Sequence, residues 1–209
     1  MMVNREYMLS DPDERMRQYK EFLAEALVKY HKRTFEQTME LFERQQDLYE
    51  KSFIQAFQKA EKFLRDALDS QRKGKLKYVH FSYLLSGALS GEHLVKMDFY
   101  DGRYYRDVEE TDCFWDCWEL FPFYEEECRQ MEADMKEKIV RVHSGELSRI
   151  RIGLTAMDYL VLKSVMEILV HSESFLSRIL PYCGRTTALL YGAYLDEAEL
   201  LYQLEGSML

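Results

Sequence analysis

The chain has 209 residues, 31% of them charged and 47% hydrophobic, with nine Gly, three Pro and a formal net charge of −9. A chain of this length buries a full core, and its composition is far from that of disordered chains or small disulfide-stapled scaffolds. The acidic balance argues against nucleic acid and membrane as ligands, because phosphate binding relies on clustered Lys and Arg. No run approaches about 18 apolar residues, and Met1–Ser10 lacks the apolar core of a signal peptide, so a cytoplasmic location is expected. The four cysteines, Cys113, Cys117, Cys128 and Cys183, are expected there as free thiols.

Asp11, Pro12, Asp13 and Glu14 set an N-cap, a first-turn Pro and a reciprocal carboxylate in order, and neither Gly nor Pro occurs from Asp13 to Lys73. A helix is predicted to start here. Phe35, Phe42, Tyr49, Ala56 and Phe63 recur every seven residues, with Met39, Gln46, Phe53, Ala60 and Ala67 as the companion row. Leu41, Leu48, Phe57, Leu64 and Leu68 widen the stripe, which fits a bundle core better than a two-stranded coiled-coil seam. The earlier stripe of Tyr19, Leu23, Ala26, Leu27 and Tyr30 runs out of register with it. Thr34 followed by Gln37 resembles a capping box, so a kink or break is expected near Thr34. Unbroken, about sixty residues of helix would span roughly 90 Å; the alternative is an arm that pairs with a second copy in a homodimer.

Lys77–Leu89 fits both the helical and the strand period, and its length favours a helix. Asp101-Gly102 lies between two alternating runs and is a preferred two-residue turn. It predicts a β-hairpin over residues 94–108, with Phe99 opposite Tyr104, Lys96 opposite Asp107 and Val95 opposite Val108. A lone hairpin is marginal, and Leu147–Ile152 alternates in a way that offers a third strand. Thr111–Phe121 reads as a short helix stopped by Pro122. Tyr124, Cys128, Met131, Met135, Ile139 and Val142 mark another, ended by Gly145. Thr155 caps a helix running to Leu180, and a last helix is predicted over Thr186–Leu204. The fold class expected is therefore mainly α: a helical bundle of about six helices carrying one small hairpin. Residues 1–74 form the N-terminal arm and 75–209 the helical core, in one structural unit.

Chemistry-bearing motifs are sparse. Cys113 and Cys117 would share a helix face, but their spacing is not the two-residue spacing of zinc sites. Glu167 and His171 stand one helical turn apart and His143 precedes Glu146, yet the Glu-x-x-His of carboxylate-bridged di-metal bundles does not occur. Neither a Gly-x-Ser-x-Gly elbow nor a phosphate-cradling glycine loop is present. No metal or other cofactor is expected. The competing enzyme reading places a metal or cofactor in the bundle interior among Cys113, Cys117, His143, Glu167 and His171.

The most distinctive stretch is Asp98–Glu127, with eleven acids against two bases and both Trp residues. The rest of the chain balances at 26 bases to 26 acids. Aromatic anchors with a charged rim are the composition of a protein interface facing a basic partner. The function expected is a non-catalytic protein–protein interaction module, of adaptor, inhibitor or immunity type. Trp115, Trp118, Phe121, Tyr124, Asp112, Asp116 and Glu119 are the residues expected at the contact.

Overall fold

The structure, a computed structural model, describes residues 12–84, 86–87, 91–109, 111–139, 142–194 and 197–205. The N-cap expected at Asp11 lies outside them. Among the described residues the chain forms α1 (Pro12–Arg44), α2 (Gln46–Asp69), β1 (Leu76–Tyr83), β2 (Leu94–Tyr100), β3 (Asp112–Asp116), α3 (Tyr124–Lys138), α4 (Ser144–Val170), α5 (Glu173–Ile179), β4 (Cys183–Ala193) and β5 (Ala198–Glu205). The strands make one five-stranded sheet in the order β3-β2-β1-β4-β5. β1 and β4 run parallel and the other neighbours antiparallel. This α+β architecture replaces the expected mainly α bundle. No described helix is long and apolar enough to cross a membrane.

Of the two segments expected as helices, Lys77–Leu89 supplies the central strand β1, and Thr186–Leu204 supplies β4 beside it and the edge strand β5. β1 is a short apolar run buried on both faces, the pattern of a central strand, which periodicity alone cannot separate from a buried helix. Its partners decide the matter: Val79 pairs with Phe99 on one side and with Leu189 on the other. In β4 and β5 the return is tight at Gly192, where a Cβ would come within 2.6 Å of the Glu197 carbonyl oxygen, so only glycine fits.

The Asp101-Gly102 turn forms, with the Tyr104 N–H donating to the Asp101 carbonyl at 3.1 Å, but it does not close the predicted hairpin. β2 pairs with β3, placing Lys96 opposite Phe114 and Val95 opposite Trp115. The loop is diverted because its carboxylates are occupied. Asp101 accepts from the N–H groups of Gly74 and Arg103 at 3.0 and 2.8 Å, and Asp107 accepts from those of Asp101 and Glu109 at 3.1 Å each. The Lys73 ammonium, its side chain wholly buried, pairs with Asp107 and donates to the Glu109 carbonyl at 2.7 Å. Leu147–Ile152, expected as a third strand, lies inside α4.

The N-terminal arm breaks at Gln45 rather than near Thr34. Thr34 and Thr38 are buried inside α1, and the Thr38 hydroxyl donates to the Leu120 carbonyl at 3.0 Å. The change of stripe reflects a change of neighbour. α1 lies along α4, where a Cβ on Gly153 would approach Leu27 to 3.0 Å. α2 instead lies against the sheet and packs most closely on β3. Phe53 meets Phe81, Trp115 and Phe175 at ring separations of 5.9, 5.3 and 5.2 Å, and Phe57 meets Phe99 at 5.5 Å. Buried residues of the arm and of residues 75–209 thus share one core.

Lys73→Ala leaves the buried Asp107 carboxylate without its cation and is expected to cost about 3–5 kcal/mol in urea denaturation. A loss below about 1 kcal/mol would show that water reaches Asp107 and replaces the ammonium.

Candidate functional site

Strand alternation divides the acidic aromatic segment. In β3, Cys113 and Trp115 face the helices, while Asp112, Phe114 and Asp116 point to the opposite face. Trp115 is 1% exposed and its indole N–H donates to Ser52 Oγ at 3.0 Å. The 3-10 turn Trp118–Leu120 then carries Trp118 outward and Leu120 inward, and Phe121 follows Leu120 into the core. Tyr124 is buried, its hydroxyl 3.0 Å from Thr155 Oγ1 and donating to the Arg151 carbonyl at 3.3 Å. Of the residues expected at a partner surface, Trp115, Phe121 and Tyr124 are therefore core, because a strand followed by a 3-10 turn replaces the predicted helix. Trp118, Asp112, Asp116 and Glu119 are exposed, together with Phe114 and Phe123, neither of which was among the residues expected at the contact.

Most of the surplus acids are compensated by bases from elsewhere in the chain. Asp107 pairs with Lys73, Glu109 with Arg72 and Glu127 with Arg33. Glu125 receives both amino groups of Arg151 at 2.8 Å, a fork that holds its carboxyl below the usual range. Arg103 does the same for Asp101, more strongly. Asp98 and Asp112 share Lys96 at 2.6 and 3.2 Å. Glu110 lies outside the described residues. Asp116 and Glu119 have no ion pair among the described residues; Asp116 accepts only from the Trp118 N–H, at 3.2 Å.

A second constellation lies behind this surface. Asp158, fully buried on α4, accepts from the Tyr30 hydroxyl at 3.0 Å, and its other oxygen has no hydrogen-bond partner among the described residues. That oxygen is 3.9 Å from His93 Nδ1, which is 2.8 Å from the Tyr83 hydroxyl. His93 stacks on Phe121 at 4.7 Å and meets the edge of Tyr124 at 4.9 Å. Tyr30, Phe121 and Tyr124 also line a cleft of about 290 Å³ between α1 and the Leu120–Tyr124 turn, with Leu41, Glu40 and Phe123 among its other walls.

Burial sets the electrostatics here. It raises the Asp158 carboxyl well above its ordinary value, favouring the protonated form, and it pushes the His93 imidazole down to about 4. Burial also pushes the Cys113 thiol up to about 12 and those of Cys128 and Cys183 to about 11, and raises Cys117 well above its ordinary value. None of these thiols is a ready nucleophile at neutral pH. The enzyme reading fares no better in space. His143 and His171 flank the two ends of α4, roughly 40 Å apart at 1.5 Å per residue. Cys113 and Cys117 belong to β3 and the residue after it, where the Cys117 thiol donates to the His93 carbonyl at 3.1 Å. No group of three or more potential metal ligands gathers among the described residues.

Comparison with family models, curated proteins and solved structures finds no match to this chain.

The buried pair makes an opposed pH signature. From about pH 4 to 6.5 the unfolded chain binds a proton at His93 that the folded chain lacks, which makes stability rise with pH. Over the same range the folded chain keeps a proton on Asp158 that the unfolded chain has lost, which makes stability fall. Above about pH 6.5 only the Asp158 contribution persists, at up to about 1.4 kcal/mol per pH unit until the carboxyl ionises. Asp158→Asn is expected to flatten the decline in urea-measured stability between about pH 6.5 and 8, below the range where the four raised thiols add a decline of their own. An unchanged slope would mean that Asp158 is already ionised in the folded protein.

Proposed function

We propose that the protein is a non-catalytic binding module for a protein partner that presents a basic segment. The contact is made by the exposed half of the acidic aromatic segment: Asp112, Phe114, Asp116, Trp118, Glu119 and Phe123. One observation carries this reading. Within a dozen residues the fold turns three large aromatics outward, Phe114 at 44%, Trp118 at 54% and Phe123 at 52% exposure, beside the carboxylates of Asp116 and Glu119, which have no cation partner among the described residues. Aromatic anchors rimmed by charge are enriched at protein interfaces, and carboxylates left without an intramolecular cation favour a partner that brings one.

The buried groups support binding over catalysis. A general acid or base works best with a pKa near the operating pH. His93 and Asp158 are displaced from it in opposite directions, both into uncharged forms, and the buried thiols are held protonated.

Selection of short random peptides displayed on phage tests the proposal without a known partner. The enriched peptides are expected to carry net positive charge and to lose binding to the Trp118→Ala, Phe123→Ala double variant. Because both side chains are exposed, that variant is expected to keep wild-type stability to within roughly 0.5 kcal/mol per site. Enrichment of acidic or uncharged peptides, or binding that survives in the folded double variant, would contradict the assignment.

A further inference from the structure

We infer that the cleft between α1 and the Leu120–Tyr124 turn is an anchor pocket that receives one apolar side chain of the basic partner; this rests on the binding-module reading above. At about 290 Å³ the cleft is roomy enough to take one inserted apolar side chain. Leu41, Leu120, Phe121 and Pro122 give it apolar walls.

The floor is fixed before any ligand arrives. Tyr30, Phe121 and Tyr124 are 3–5% exposed, and each is held from behind. Tyr30 donates to Asp158, Phe121 stacks on His93, and Tyr124 is tied to Thr155 and Arg151. This gives the buried acid and imidazole a role that needs no titration: they lock the rotamers of the aromatics that an anchor would rest on. A pocket that does not have to be ordered on binding saves the entropy of ordering it.

Charge selects the flanks of the anchor. Glu40 and Arg44 stand at the exposed mouth and compensate each other at 3.4 Å. Glu36 and Glu43 are exposed on the same last turns of α1 as Glu40. Glu119 flanks the opposite wall. Trp118 is two residues before Leu120 in a 3-10 turn, within about 4 Å along the axis at 2.0 Å per residue. A segment lying across Trp118 with an apolar residue in the cleft therefore keeps its basic residues among carboxylates.

Synthetic peptides of alternating Lys and Gly, with Leu, Phe or Ala at one central position, provide the probe, with binding read by fluorescence anisotropy. The Leu or Phe peptide is expected to bind at least about tenfold more tightly than the Ala peptide, as burial of one such side chain implies. Leu41→Trp, which fills the mouth, is expected to abolish that difference while leaving the affinity and salt dependence of the Ala peptide unchanged. Gln37→Trp, at an exposed position of the same wall, replaces it if Leu41→Trp lowers stability. Equal binding of all three peptides, weakened alike by Trp118→Ala, would overturn the pocket and leave the surface reading standing. Absence of binding by every peptide would overturn both.

Discussion

Phe53 is the point at which the separate parts of this chain become one structure. Its ring touches Phe81 of β1, Trp115 of β3 and Phe175 of α5, so a residue of the N-terminal arm joins the centre of the sheet, its β3 end and the helix that precedes β4. The parallel pairing of β1 with β4 joins segments more than a hundred residues apart, with β2, β3 and three helices between them. Such a pairing yields nothing until the long intervening loop has closed. A core in which Phe53 and Phe57 fill the space between α5 and the sheet offsets that cost. The arm is therefore part of the core and not an appendage to it.

Placing the helices against one face of β3 determines what the other face can do. Trp115 is committed to the core by its contact with Phe53 and its hydrogen bond to Ser52. The period of two then obliges Asp112, Phe114 and Asp116 to point away. The same core imposes a polar problem at its other end, where α1, α4 and the start of β2 converge on Asp158 and His93. Burial disfavours the charged form of both groups, and the aromatics they position become the floor of a cleft. Surface and cleft are linked through a single 3-10 turn, so the proposed partner contact and the buried network are consequences of one packing arrangement.

Much of the helical part was legible in the sequence. The stripe Phe42, Tyr49, Phe53, Ala56, Ala60 and Ala67 is buried, as is the row Cys128, Met131, Met135 and Ile139. The ends of the heptad row, Phe35 and Phe63, are 40% and 65% exposed: they lie in separate helices, α1 and α2, each of which drifts off a seven-residue repeat at 3.6 residues per turn. The strands were not legible as strands, since short apolar runs satisfy both periods and the deciding information is the identity of a distant neighbour. The hairpin shows the converse. Its turn forms locally, but Lys73 and Arg103 capture the Asp107 and Asp101 carboxylates and divert the chain. Trp115 and Trp118 lie three residues apart and would share a helix face; in a strand and 3-10 turn they part company. Asp158 carried a signal of its own, an acid set among the apolar residues of α4, whose burial demands a partner.

The separation of the two tryptophans is the central claim, and single-tryptophan fluorescence tests it most directly. With Trp118→Phe, the remaining Trp115 should emit at short wavelength, resist acrylamide quenching and ignore a basic peptide. With Trp115→Phe, Trp118 should emit at long wavelength, quench readily, and shift when that peptide is added. Two tryptophans of equal accessibility, or a peptide response confined to Trp115, would contradict both the division of the segment and the surface built on it.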